Sequence, residues 1–234
     1  MKQKVSDRPG GNRVAAREAR RQQLINATID SISKRGFSGT TLSTVTETAK
    51  LSHGVVNFYF ESKEALYVET LGYLAEEHFQ AWHQAMQAAG SNPARQLAAI
   101  VETDFDRGIC SPKKLAVWFA FWGQAKYRPN YLKIHGKYDD QRFKEISRLC
   151  TEIVAVGEYV SLDPDVVARN LEALIDGIWL SLLLYPSGKN RQQARADVYA
   201  FLAMTFPRHF EPVALPGDNC SCGVAAPRSG AAAQ

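Results

Sequence analysis

No stretch of this chain alternates apolar and polar residues over the length of a strand. Apolar side chains recur instead at spacings of three and four, the mark of helices with one buried face. Leu24, Ala27, Thr28, Ser31 and Ile32 follow this spacing, with Ile25 and Ile29 alongside. Caps and prolines cut the pattern into pieces. Gly36 follows Lys34 and Arg35 as a helix stop. Gly90-Ser91-Asn92-Pro93 is another stop, and Pro112, Pro129 and Pro164 stand where helices begin and a missing N–H costs nothing. The pattern predicts helices over about 14–35, 42–49, 53–59, 63–89, 94–107, 112–126, 129–156, 164–185 and 191–208. The fold class is therefore all-α.

Charge is unevenly spread. Residues 1–35 hold nine basic and three acidic side chains, a surplus of six. The whole chain of 234 residues carries only +4, so the remainder is slightly acidic. Positive charge gathered at one end suits a polyanion, although a solvated basic tail would look the same. The longest apolar run, 178–185, falls far short of the roughly 18 residues a membrane span needs. The basic, polar start has no apolar stretch behind it, so no secretory signal and no membrane partner are expected. The four cysteines show neither a disulfide framework nor a paired CxxC spacing, and a reduced cytoplasm is the expected compartment.

The segment 40–60 is the most informative. Thr40-Thr41 offers a hydroxyl cap for one short helix, Ser52 a cap for a second, and Ser62 a cap for the long helix after it. Two short helices around a tight turn can bury Leu42, Val45, Leu51, Val56 and Phe60 only by packing on the helix before them. This is helix-turn-helix arithmetic, and it would put the second helix in the major groove of DNA. Its outward residues are Ser52, His53, Gly54, Asn57 and Phe58, with Tyr59 following, and Thr40 and Thr41 are expected to join them at the DNA. Ser52 and the free N–H groups near it suit a phosphate. Asn57 can pair with adenine or hold a phosphate, and His53 can donate to either. Gly54 removes a side chain where the backbone must approach the duplex. Lys63 opens the next helix at its positive end, a repulsion that a shared phosphate would relieve. Each residue alone has a plain surface explanation. Together with the basic arm they favour DNA over a hairpin that only packs.

The run from Gly36 to Leu66 resembles the TetR family of bacterial repressors. Gly36-Phe37, Thr40-Thr41, Ser52, Gly54, Tyr59-Phe60 and Ser62-Lys63-Glu64 carry the likeness. Lys50 stands where the family has a turn glycine, and Asn57-Phe58 replaces a common pair ending in tyrosine. The resemblance implies a homodimer addressing a palindromic operator, and a C-terminal helical domain that binds a small molecule and so releases DNA. The expected division is a disordered basic arm over 1–13, a helix-turn-helix domain over 14–77, a ligand-binding and dimerisation domain over 78–210, and a disordered tail over 211–234.

Aromatic residues concentrate in that C-terminal part. Trp118 and Trp122 are i,i+4 neighbours, with Phe121 beside them, Tyr127 further on and Trp179 in a later helix. An aromatic stripe at helical spacing usually packs a core, yet paired tryptophans also attract quaternary ammonium groups. Asp104 and Asp176 lie in apolar surroundings and can supply counter-charge. A hydrogen bond to a neighbouring helix explains Asp176 equally well. The runs Phe105-Asp106, Trp118–Trp122 and Ala173–Leu180 are similar to the BetI branch of the TetR family, repressors of choline-to-glycine-betaine genes. That likeness implies a choline-like onium ligand. A non-cationic aromatic or apolar ligand, and a helical interaction protein without ligand control, stay open. The helical stretches 166–185 and 194–206 are expected to form the dimer interface. Ile175, Ile178, Leu182 and Leu183 exceed what one face needs, a surplus that fits an interface as well as a core. No Gly-rich phosphate loop, HExxH or GxSxG is present, so no catalytic residue and no cofactor is expected. His78 and His83 are spaced to different faces, and the Cys220-Ser221-Cys222 run offers only two thiols, so no metal site is expected either.

Overall fold

The computed structural model describes residues 9–188 and 190–212, with side chains from Arg13 onward. The first eight residues of the expected arm and nearly all of the expected tail, including Cys220-Ser221-Cys222, lie outside the described residues. Among those described there are nine helices and no strand: α1 (Pro9–Gly39), α2 (Leu42–Ala49), α3 (His53–Tyr59), α4 (Lys63–Ala88), α5 (Pro93–Asp104), α6 (Pro112–Ala125), α7 (Pro129–Val156), α8 (Pro164–Leu184) and α9 (Arg191–Thr205). The first helix begins five residues earlier than the sequence pattern suggested, so part of the expected arm is helical.

The helix ends follow the expected chemistry with two exceptions. Gly36 breaks α1 with φ 71°, a backbone that only glycine adopts freely. Thr41 accepts from the N–H of Thr44 while Thr44 Oγ1 accepts from Thr41 N–H, a capping box at α2. Ser62 Oγ accepts from Ala65 N–H at 3.0 Å at the start of α4. Ser52 is the exception at α3, because its backbone is extended but its hydroxyl caps nothing. The helix α5 stops at Asp104, three residues short of the expected end, where Asp106 turns its carboxylate onto Gly108 N–H.

The chain divides into two compact units, and the cut differs from the one expected after residue 77. Among the described residues, one unit holds 9–73 and 116–131, the other 74–115, 132–188 and 190–212. Helices α4, α6 and α7 therefore each contribute residues to both.

In the first unit, α1 packs on α2 and α2 on α3. Leu24, Ile32, Val45, Val56 and Leu66 are fully or almost fully buried there. An aromatic cluster completes this core. The Phe37 ring lies edge-on to Tyr67 at 4.7 Å and to Phe121 at 5.6 Å, and Phe121 meets Tyr131 at 5.2 Å. Tyr67 also donates its hydroxyl to Thr40 O at 3.0 Å, and burial raises its pKa to about 12, so it stays a donor. In the second unit, α9 packs on α8 and α5. Leu97, Ile100, Leu171, Ile175, Val198 and Leu202 are buried among them.

Lys50 closes α2 in the left-handed region, with φ 56° and ψ 43°. A side chain there costs roughly 1–2 kcal/mol, part of which glycine gives back as lost unfolded-state entropy. Lys50→Gly is expected to stabilise the protein by about 0.5–1 kcal/mol, read as a higher urea midpoint at constant slope.

Candidate DNA-reading helix and ligand-domain cluster

The α3 helix turns a defined arc outward. Val56 is fully buried and Phe60 nearly so, which fixes the helix against the domain. His53, Gly54, Asn57 and Phe58 then all face solvent, as does Ser52 before them. Ser52 keeps its hydroxyl uncommitted. A Cβ built on Gly54 would meet nothing within 4 Å, so packing does not require glycine there. Tyr59 is half-buried, edge-on to Phe58 at 5.1 Å.

Thr41 is exposed, although its hydroxyl serves the α2 cap. Thr40 corrects the sequence reading. It is fully buried, its hydroxyl donates to Gly36 O at 2.9 Å and meets Ser31 Oγ at 3.2 Å, and nothing of it remains for DNA. Lys63 is half-buried with Nζ 5.0 Å from the Tyr67 ring. Burial, and then the Arg128 guanidinium, lower its pKa, so an anion beside it would be welcome. Arg128 itself is paired with Glu64 and lies over the rings of Phe37 and Tyr131. Arg21 is anchored on Glu69 in the same unit.

The expected ligand residues separate into two groups. Trp118, Phe121, Trp122 and Tyr127 belong to the first unit. Trp118 and Trp122 lie 6.3 Å apart with their planes at 49°, forming adjoining walls rather than a facing pair. Phe121 is almost fully buried against Phe37 and Tyr131 and serves the core. Tyr127 is 74% exposed in the turn after α6, so it lines no enclosed site.

Asp104, Asp176 and Trp179 belong to the second unit. Asp104 is fully buried, and it is not a free counter-charge. Its carboxylate takes Arg142 Nη2 at 2.5 Å and His78 Nε2 at 2.8 Å, and its backbone carbonyl accepts from Trp179 Nε1 at 3.0 Å. The His78 ring lies 5.6 Å from that of Trp179. Arg142 also reaches Glu172 at 3.3 Å. Burial works against the Arg142 charge, but Asp104, Glu172, Asp176 and Asp139 outweigh it and raise its pKa. The guanidinium thus contacts two carboxylates, Asp104 and Glu172, and feels two more at a distance, Asp176 and Asp139, the latter paired with His135.

The price appears on α8. Burial pushes Glu172 up to about 7, with Arg142 opposing and the other acids adding. Asp176 touches solvent, yet the protein around it holds its carboxyl above the usual range, again against Arg142. Sequence reasoning missed Glu172, Arg142 and the role of His78. The signal available was the Glu172/Asp176 pair, one helical turn apart in an apolar helix.

Comparison with known proteins identifies the two parts. Residues 24–70 match the bacterial regulatory proteins of the tetR family, and residues 93–207 match the C-terminal domain of BetI-type transcriptional repressors. The HTH-type transcriptional regulator BetI of Burkholderia thailandensis is 34% identical over 171 residues, covering 72% of this chain and 84% of that one. The BetI of Burkholderia cenocepacia is 35% identical over 168 residues, with the same coverage.

The chain belongs to the TetR family.

It is a BetI-type transcriptional repressor of that family, and its named relatives are regulators rather than enzymes. Solved TetR-like structures share its fold. A transcriptional regulator from Pseudomonas aeruginosa PAO1 superposes with a TM-score of 0.71 at 24% identity, over 81% of this chain and 91% of that one. A regulator from Saccharomonospora viridis, solved in complex with choline, gives 0.69 at 18% identity over 79% and 96%. Among the described residues, no helix of this TetR-family chain is long and apolar enough to cross a membrane.

Because nothing in the protein occupies the space beside Gly54, Gly54→Ala separates stability from recognition. The variant is expected to unfold no earlier than the parent, since alanine favours a helix by up to about 1 kcal/mol. Operator binding, followed by fluorescence anisotropy, is expected to weaken at least about tenfold. Unchanged binding would mean that the backbone at Gly54 does not approach DNA.

Proposed function

We propose that this repressor binds a palindromic operator as a homodimer and is released by an onium ligand of the choline type. The observation that carries the ligand reading is the surplus of carboxylate over cation around Arg142. With Asp104 already engaged, Glu172 and Asp176 remain undercompensated, and a cation that needs no hydrogen bonds would relieve them without disturbing the Asp104 pair. Trp179 adds an aromatic face in the same unit. In the other unit, buried Trp118 and half-buried Trp122 stand 6.3 Å apart, and indole faces of this kind attract such cations. The match to BetI-type C-terminal domains covers all of these residues, and a fold relative was solved with choline.

The dimer reading is supported by α8 and α9. Val166, Ala173, Gly177, Leu180 and Leu184 lie on one exposed stripe of α8, and Met204 is exposed on α9. Such an apolar or small-residue face fits a partner surface. Of the four residues expected to serve an interface or a core, Ile175, Ile178 and Leu182 are buried in the protomer's own core and Leu183 is half-buried.

Glu172 makes the ligand reading testable. Its pKa near 7 means that it gains negative charge as pH rises from 6 to 8. Choline affinity, measured by calorimetry, is therefore expected to rise with pH across this range, by up to about tenfold. Glu172→Gln should flatten the profile. Tryptophan quenching by choline that survives Glu172→Gln with an unchanged pH profile, but is lost in Trp122→Ala, would move the site to the α6 tryptophans. A flat titration with choline and sulfonium analogues would remove the onium ligand altogether.

A further inference from the structure

We propose that Phe58 reads the 5-methyl group of a thymine at a fixed position in each operator half-site. This rests on α3 being the DNA-reading helix, and it assigns a base to one of its residues.

Phe58 is 71% exposed on the outward arc of α3, which it shares with His53, Gly54 and Asn57. One exposed apolar side chain needs no partner by itself, but this one stands where DNA would lie. Nothing in the protein covers it. Tyr59 touches only its edge, and the Arg17 guanidinium stands 6.0 Å from its centroid. The ring borders a shallow cleft of about 420 Å³ with Arg20, Leu51, Ser52 and Gly54. Gly54 precedes Phe58 by one helical turn and carries no side chain to screen it.

The neighbours of the ring define the partner. Arg17 and Arg20, both exposed on α1, flank it with positive charge, and Ser52 offers an uncommitted hydroxyl. These groups fit a phosphate backbone, whereas a protein partner chosen for an apolar ring would not call for two flanking guanidiniums. Against a duplex, a phenyl group in the major groove finds one apolar feature, the C5-methyl of thymine. His53 and Asn57 on the same arc can hydrogen-bond to base edges or phosphates, and Phe58 cannot. Its contribution to sequence choice is therefore methyl contact.

The test uses the full chain and sites selected in vitro from randomised palindromic duplexes. The expected result is a thymine at one fixed position per half-site. Replacing that thymine by deoxyuridine, which removes only the methyl group, should lower affinity about three- to fivefold per half-site. Phe58→Ala should bind the thymine and deoxyuridine duplexes equally and select sites without that thymine. Phe58→Leu, which keeps an apolar side chain, should retain part of the preference. Circular dichroism checks that both variants fold, as expected for an exposed position. Equal binding of thymine and deoxyuridine duplexes by the parent would overturn the proposal, as would a Phe58→Ala variant that keeps the preference. If Phe58→Ala leaves DNA binding intact but abolishes association with another protein, the ring is a docking point and the proposal is wrong. Failure of the parent to enrich any duplex would overturn the DNA-reading assignment of α3 itself, an outcome distinct from enrichment without a fixed thymine.

Discussion

Asp104 has no contact with water, and three other helices of the ligand domain supply its partners. It comes from the end of α5, His78 from α4, Arg142 from α7, and Trp179 from α8. A buried carboxylate without partners is costly, so these contacts fix where the helices meet. The requirement also shapes the chemistry. Arg142 is drawn into the interior to serve Asp104, and the acids on α8 must share what remains of it. Glu172 near neutrality and the raised Asp176 follow from that shortage. The Asp104 carboxylate is thus fully engaged within the protein, and Glu172 and Asp176 are left with the remainder of the Arg142 charge.

The DNA-binding unit solves a different problem. Seven residues of α3 cannot form a stable helix alone. The domain holds it through Val56 and Phe60, and holds the α1 end and α2 start through Phe37 and the Tyr67–Thr40 hydrogen bond. Polar groups that hold the domain together, such as Thr40, are thereby withdrawn from DNA. Those left outside, His53, Gly54, Asn57 and Phe58, have no task within the fold. Lys50 shows a local cost accepted for the tight turn that links α2 to α3.

The helical plan was legible because caps and prolines punctuate it. The break at 90–93 and the start at Pro164 both fall at true helix boundaries, where Asn92 and Asp163 are the caps. The arc of α3 was legible for the same reason, since a seven-residue helix with Val56 inward has one possible outer face. The cluster around Asp104 was not. Its members are spread across 101 positions of the chain between His78 and Trp179, and no local spacing marks them as neighbours. Thr40 and Phe121 misled in a related way. Each has the right residue type and lies beside the right motif, but burial assigns it to the interior. Tyr127 failed in the opposite sense, because the stop after α6 leaves it in a turn.

Under the proposed function, an onium ligand controls the grip of this repressor on DNA. The most direct measurement is the anisotropy of a labelled operator duplex, chosen by in vitro selection, bound to the full chain and titrated with choline at pH 8. The account predicts that anisotropy falls to the value of free DNA as choline saturates, while an equal concentration of sodium chloride causes a much smaller fall. Operator that stays bound at saturating choline would contradict it.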